Sequence, residues 1–454
     1  MKTTKYILIL MIGLLSFNSC SDTLEEINTD PSKLTEVDLR LMLPEAIVQS
    51  FFNEGTNQAR VSGLVMKQFK GLDAQQIDYG NYNIAANAMD NFWNTGLYAG
   101  SLRSCEAIIE KAESVGGSSF YTGVAKILKA NQYGIATSMF GDIPLSEALK
   151  GIEFLQPAYD SQESVYAAVQ SMLDDGIADL ANAEGYAGGD LVFDGNAANW
   201  IATAHAFKAR YYLHVSKRSS TAMSDALASI GNAFTDATMQ PNLQFDDSQI
   251  GNHALAKFGT ERSGTLGFHP DFAAMLDGDP RADAYFVPVT FEYWGFDNLV
   301  WAQNNATLPL ISFVELKMME AEITSSMGGD GSAMLAEGIM ASMAMVGVED
   351  GGYAAANSDI SSMSSDAAVE KILTEAYKAY YGYNFHTTWS NYRRTGYPAI
   401  TPQNNEANGL NPGGQVPRRF LYADSESATN SANLEAAQAA QSGALLNVDV
   451  WAFE

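Results

Sequence analysis

The sequence predicts a mostly α-helical fold in which paired helices support an irregular half that is rich in loops. Apolar residues recur at spacings of three and four, as they do on the buried face of a helix. One such stripe consists of Val165, Val169, Leu173, Ile177 and Leu180. Glycine pairs such as Gly116-Gly117 and Gly328-Gly329 follow these segments, and glycine commonly ends a helix. The chain is 46% hydrophobic and 17% charged, which excludes both a disordered chain and a coiled coil.

The composition also limits the classes of function. The chain has 53 acidic and 26 basic residues and a formal net charge of −27, so its surface repels phosphate backbones and we exclude nucleic-acid binding. Five His and two Cys are too few for zinc clusters or a disulfide framework. No phosphate-binding loop, nucleophile elbow or zinc-protease motif occurs. We therefore predict no enzyme, no catalytic residue, no cofactor and no metal ligand, although a calcium ion held by scattered oxygens stays open.

The first residues have the pattern of a secretory signal. Lys2 and Lys5 precede the apolar stretch Ile7–Phe17, which is shorter than the roughly 20 residues that a membrane-spanning helix needs. Ser19 is a small residue placed directly before Cys20. This arrangement resembles a bacterial lipoprotein signal, in which Cys20 is lipidated and becomes the first residue of the mature chain. The alternative is an ordinary cleaved signal with a chance cysteine.

The chain therefore divides into three parts. We predict a lipoprotein signal peptide over residues 1–19, a lipidated tether over residues 20–40 and a single domain over residues 41–454. The tether holds the turn-forming cluster Asn28-Thr29-Asp30-Pro31-Ser32. Within the domain, three helix pairs are predicted over residues 101–114 with 123–140, 163–183 with 197–217, and 312–325 with 332–346.

Aromatic residues mark the candidate ligand site. Residues 241–310, with predicted strands and turns, and residues 397–422, a predicted loop, interrupt the helical pattern, and long loops on a rigid scaffold often carry binding sites. Flat rings beside amide and carboxylate groups suit sugars, and they also suit peptides. The alternative for every ring is packing in the core. The predicted ligand-binding residues are Tyr293, Trp294, Trp301, Tyr79 and Tyr82. By contrast, Trp93, Trp200, Trp389 and Cys105 lie on apolar helical faces and are predicted to be core residues.

A series of short motifs runs in order along the chain. They are Glu25-Glu26-Ile27-Asn28-Thr29-Asp30-Pro31, Gly141-Asp142-Ile143-Pro144-Leu145-Ser146-Glu147-Ala148-Leu149, Pro157-Ala158-Tyr159-Asp160-Ser161-Gln162-Glu163, Asp194-Gly195-Asn196-Ala197-Ala198-Asn199-Trp200, Asp279-Pro280-Arg281, Arg393-Arg394-Thr395-Gly396-Tyr397-Pro398 and Pro417-Arg418-Arg419-Phe420-Leu421-Tyr422. Together they resemble the SusD/RagB family of Bacteroidetes outer-membrane lipoproteins, although Ala423 replaces a proline of the closing segment. The resemblance covers essentially the whole mature chain.

The resemblance implies both a fold and a function. The fold would have tetratricopeptide-like helical hairpins that support an irregular ligand-binding half. The protein would be a surface-exposed, non-catalytic lipoprotein of the outer membrane, held only by its lipid anchor. It would capture oligosaccharides and deliver them to a TonB-dependent, SusC-like barrel; the alternative keeps this lid role but changes the cargo to peptides. Ligand residues vary within the family, so none is transferred to this chain.

Overall fold

The computed structural model describes residues 37–248, 251–285, 300–402, 409–443 and 445–454. Within these ranges the chain is mostly helical, as the sequence predicts. The helices are α1 (Leu39–Gly55), α2 (Asn57–Val65), α3 (Gln75–Gly80), α4 (Arg103–Val115), α5 (Ser119–Phe140), α6 (Gln162–Ala181), α7 (Ala197–His214), α8 (Ala222–Ile230), α9 (Ala254–Glu261), α10 (Pro270–Met275), α11 (Ala282–Tyr285), α12 (Phe313–Ser326), α13 (Ser332–Val346), α14 (Tyr353–Asn357), α15 (Ser365–Ala379), α16 (Phe385–Thr395), α17 (Asp424–Thr429) and α18 (Ser431–Ala440). None of the helices in these ranges combines the length and apolarity that crossing a membrane requires.

Four short strands and several short helical segments complete the described fold. The strands are β1 (Phe69–Gly71), β2 (Asn242–Gln244), β3 (Leu266–Phe268) and β4 (Thr307–Pro309). β1 pairs antiparallel with β3, and β2 pairs antiparallel with β4. The remaining turns are the π-helical segment Phe92–Leu102 and the 3₁₀ segments Ala86–Met89, Gly151–Glu153, Ala237–Met239, Val300–Ala302 and Trp451–Phe453.

The three predicted helix pairs are confirmed. α4 packs against α5, α6 against α7, and α12 against α13. Side-chain caps explain where several of these helices begin, because the cap oxygen accepts a hydrogen bond from an otherwise unpaired backbone N–H. Ser161 caps α6, Asn196 caps α7 and Ser312 caps α12. Further along, α15 packs against α12, and α16 packs against α2, which joins the C-terminal half to the N-terminal helices.

Buried ion pairs tie these helices together. Arg210 of α7 forms two hydrogen bonds with the carboxylate of Glu315 in α12, at 2.7 and 2.8 Å, and both side chains are buried. Arg281 contacts the carboxylates of Asp279 and Glu375, each with an Nη2–oxygen distance below 2.8 Å. The Asp279-Pro280-Arg281 motif therefore has a structural role, because its arginine links a turn to α15.

The residues that the sequence assigns to the core are buried in the structure. Trp93, Trp200, Trp389 and Cys105 are each at most 1% exposed, which confirms them as core residues. The described parts of residues 397–422 contain no helix or strand, as predicted. α1 begins at Leu39, within the last two residues of the predicted tether, and Asp38 caps it by accepting from the backbone N–H of Arg40. Within the predicted strand-and-turn region 241–310, Tyr285 closes the short helix α11, and residues 286–299 lie outside the described ranges.

Candidate ligand-binding groove

An open groove of about 420 Å³ lies between the N-terminal helices and α9. Its size is within the range of about 300–1,000 Å³ that is usual for ligand sites. Four elements form its walls: α1, α2, the start of the π-helical segment and α9. The lining residues are Gln49, Phe52, Asn53, Thr56, Asn57, Arg60, Asn91, Phe92, Thr95, Gly96, Ala254, Lys257, Phe258 and Glu261.

The floor of the groove is fixed by Asn53. Its Nδ2 donates to the carbonyl oxygen of Gly96 at 2.9 Å and to Oε1 of Gln132 at 2.7 Å, so α1 is tied both to the π-helical segment and to α5. A Cβ on Gly96 would lie 2.8 Å from Oδ1 of Asn53, closer than real Cβ contacts allow. Glycine is therefore required there for α1 to approach the π-helical segment.

One wall pairs a cation with an aromatic ring. Cζ of Arg60 lies 3.8 Å from the ring centroid of Phe258, which is cation–π contact. Both side chains are half-buried. Burial lowers the pKa of Arg60 to about 10, and the neighbouring Tyr79 only partly offsets this effect. The guanidinium is thus still charged at neutral pH, but it is poorly solvated.

The other lining groups are mixed in character. Gln49, Asn57 and Asn91 supply amides, Phe52 adds a second half-buried ring, and Lys257 and Glu261 supply further charges. Amides and charged groups can bind hydroxyls, while rings can cover the apolar face of a sugar or the side chain of a peptide. In the described ranges, no group of three or more His, Cys, Asp or Glu side chains is arranged to hold a metal ion. The lining therefore suits the reversible binding of a polar ligand.

Three of the five aromatic residues that the sequence predicts to bind ligand lie in the described ranges. Tyr82 is fully buried, Tyr79 is 9% exposed, and Trp301 is 4% exposed with its ring centroid 4.9 Å from that of Tyr383. In this structure the three rings pack in the core, which is the alternative that the sequence left open. Tyr293 and Trp294 lie outside the described residues and stay predictions, and so does Cys20.

Two of these rings nevertheless neighbour the groove. Tyr79 acts electrostatically on Arg60, as their mutual effects on pKa show. Trp301 lies in the 3₁₀ segment Val300–Ala302, which packs against α9. None of the residues that line the groove was among the predicted ligand-binding residues.

Arg60 and Phe258 were not among the predicted site residues. A signal for Arg60 does exist in the sequence, because it is the only charged residue between Asn57 and Met66, in an otherwise apolar or neutral helix. A cation in such a position lacks the helical ion pairs that usually accompany it. No comparable signal marks Phe258, since a phenylalanine in a short amphipathic helix usually belongs to the core.

Comparisons with known proteins agree with this architecture. A SusD-like family model, described as starch-binding and associating with the outer membrane, matches residues 31–423. A SusD/RagB family protein from Bacteroides thetaiotaomicron is 21% identical, with a TM-score of 0.75, over 92% of this chain and 99% of that chain. A SusD homolog from Bacteroides uniformis is 19% identical, with a TM-score of 0.79, over 92% and 100%. A protein described as chitin-binding is 22% identical, with a TM-score of 0.74, over 91% and 99%. No curated protein matches the sequence.

Proposed function

We propose that this chain, which belongs to the SusD-like family of starch-binding proteins that associate with the outer membrane, captures oligosaccharides and delivers them to a TonB-dependent transporter. The observation that carries the proposal is the groove between α1, α2 and α9, where rings, amides and charged groups converge. The protein acts by binding alone and performs no chemistry on its cargo.

The groove chemistry supports a glycan as cargo. A pyranose ring presents C–H faces that pack on Phe52 and Phe258, and it presents hydroxyls that bond to the amides of Gln49, Asn57 and Asn91. Such a site reads the shape and the hydroxyl pattern of a sugar. A peptide could bind the same rings through its side chains, so the calorimetric titration includes peptides as well as oligosaccharides.

The lid role and the lipid anchor rest on the family and on the N-terminal signal. A protein held at the outer membrane by acyl chains on Cys20 would stay beside the SusC-like barrel that receives its cargo. Each buried CH₂ of an acyl chain contributes about 0.8 kcal/mol, so several chains give stable attachment.

Labelling cells with an alkyne analogue of palmitate tests the lipidation of Cys20 directly. The wild-type protein should carry the label, and Cys20→Ala should carry none; a labelled Cys20→Ala protein would refute the anchor site.

Calorimetry on the soluble protein that begins at Ser21 tests the cargo. We expect neutral oligosaccharides in a mixed panel to bind, and Phe258→Ala to weaken binding at least about tenfold by removing the stacking surface. Phe313→Ala is the matched control, because Phe313 is also half-buried and also lies under a cation, with Nζ of Lys317 at 5.4 Å, but outside the groove.

Trp294→Ala in the same titration tests the loop prediction. Loss of saccharide binding would add Trp294 to the site, whereas unchanged binding would remove it. Binding of peptides alone would refute the glycan cargo and keep the lid role. Equal loss in Phe258→Ala and Phe313→Ala would refute the assignment of the groove.

A further inference from the structure

Arg60 differs from every other arginine in the described part of the chain. Each of the others donates a hydrogen bond to, or forms an ion pair with, a protein oxygen; examples are Arg210 with Glu315 and Arg394 with Glu322. Arg60 forms no side-chain hydrogen bond or ion pair with a described residue; its guanidinium lies against the ring of Phe258, and its buried Nε has no hydrogen-bond partner. An arginine carries five N–H donors, so most of its binding capacity is unused.

The second cation of the groove is also without a counter-ion. Within the described residues, Nζ of Lys257 has no carboxylate within 4 Å, although it is half-buried. Glu261 is the single acidic residue in the lining, against the two cations Arg60 and Lys257. The charged lining residues, two cations and one carboxylate, therefore sum to a formal charge of +1 in a chain whose formal charge is −27.

The composition leads us to expect a carboxylate partner for each partly buried cation, whereas Arg60 and Lys257 form no ion pair within the described residues. Acidic residues outnumber basic ones by 53 to 26, so a carboxylate is available for every cation. Elsewhere several buried cations use them; Arg281, for example, contacts both Asp279 and Glu375. Leaving a partly buried guanidinium without an acceptor is unfavourable, because the lost hydration is not replaced. A single aromatic ring compensates only part of that loss.

We infer that the groove recognises a glycan that carries a carboxylate, and that Arg60 is the residue that binds this carboxylate. The inference deepens the proposed function and rests on it. A carboxylate accepts two parallel hydrogen bonds from a guanidinium, a geometry that a neutral hydroxyl does not offer. Lys257 adds a second positive charge from α9, and the rings of Phe52 and Phe258 bind the sugar that carries the acid.

The test compares acidic oligosaccharides with their own methyl esters. The probes are tetragalacturonate, a hyaluronan tetrasaccharide and 3′-sialyllactose, each beside its fully esterified form, titrated into the protein that begins at Ser21. Within a pair the sugar and the linkage are the same, and only the charge differs. We expect at least one acid to bind about tenfold or more tightly than its ester, since charged hydrogen bonds are stronger than neutral ones. Raising the salt concentration should weaken binding of the acid and leave that of the ester unchanged.

Variants then assign the preference to Arg60. Arg60→Gln should remove the preference, so that the acid and its ester bind with equal affinity, while Arg60→Lys should keep part of the preference. Arg103→Gln is the control with the same change of charge, since Arg103 is exposed and lies outside the groove. Circular dichroism checks that each variant folds, and Lys257→Gln, which should reduce the preference, replaces Arg60→Gln if the latter does not fold.

The outcomes separate this inference from the proposed function. Equal binding of every acid and its ester overturns the inference while the glycan function stands. A preference that survives in Arg60→Gln also overturns it. If neither the acids, the esters nor the neutral panel bind, the proposed function fails and the inference fails with it.

Discussion

A buried carboxylic acid should make the stability of this protein depend on pH. Glu54 lies in α1, and its side chain is buried. Its Oε1 accepts a hydrogen bond from Nδ2 of Asn131 at 3.2 Å. Its Oε2 lies 3.3 Å from Nδ1 of His386. Burial raises the pKa of Glu54 to about 7, and the nearby Arg210 offsets only part of this effect. Burial also lowers the pKa of His386 well below its ordinary value. In mildly acidic solution both groups are therefore neutral.

The size of the effect follows from the shift in pKa. The unfolded chain releases the proton of Glu54 near pH 4.5, and the folded chain keeps it up to about pH 7. Because the folded state binds the extra proton in this window, stability is highest below it and falls by about 1.4 kcal/mol per pH unit as the pH rises. Across the whole window the loss is about 3 kcal/mol. Glu54→Gln keeps the shape of the side chain but cannot ionise, so it should not show this loss.

Denaturant unfolding of the wild type and Glu54→Gln at pH 5 and pH 8 measures the effect. The unfolding free energy of the variant relative to the wild type should rise by about 2.5 kcal/mol between the two pH values, because the wild type has already lost part of the effect at pH 5. His386 titrates in the unfolded state of both proteins and cancels in the comparison. Glu110→Gln, at an exposed carboxylate of α4, should show a constant difference within about 0.5 kcal/mol. Parallel pH profiles for the wild type and Glu54→Gln would refute the reasoning.

Three further predictions concern the packed helices. Gly134→Ala should lower the unfolding free energy by about 1–3 kcal/mol, because the added Cβ would lie 2.2 Å from a ring atom of Tyr211. Cys105 should not react with a disulfide reagent at pH 8 in the folded protein and should react fully in denaturant, because burial raises the pKa of its thiol to about 12. Glu315→Gln should cost about 3–5 kcal/mol in denaturant unfolding, since it leaves the buried charge of Arg210 unpaired.

Each of these predictions has its own control. Gly231→Ala, at a helix end where the nearest atom is 3.5 Å from the added Cβ, should be neutral or slightly stabilising. Glu110→Gln breaks only an exposed pair and should cost less than about 1 kcal/mol. A loss in Gly231→Ala equal to that in Gly134→Ala, or a cost of Glu315→Gln as small as that of Glu110→Gln, would contradict the packing argument. Rapid labelling of Cys105 in the folded protein would contradict its burial.

Much of the scaffold could be predicted from local pattern. The stripe from Val165 to Leu180 predicts α6, and Ser161 caps that helix as a serine before an apolar helical run should. Likewise, the apolar surroundings of Trp200 and Trp389 correctly place both in the core. These inferences succeed because helix formation and the burial of one helix face depend on residues within a few turns of each other.

The sequence by itself therefore determined the helical class, the three helix pairs and the family. Only the tertiary structure decided the lining of the groove, because Arg60 of α2 and Phe258 of α9 meet across almost 200 residues of chain. It also decided that Tyr82 and Trp301 are buried. A polar loop with aromatic rings has the same sequence pattern whether its rings face solvent or pack in the core. Periodicity is a local property, whereas exposure and the absence of a charge partner depend on which distant segments fold against a residue.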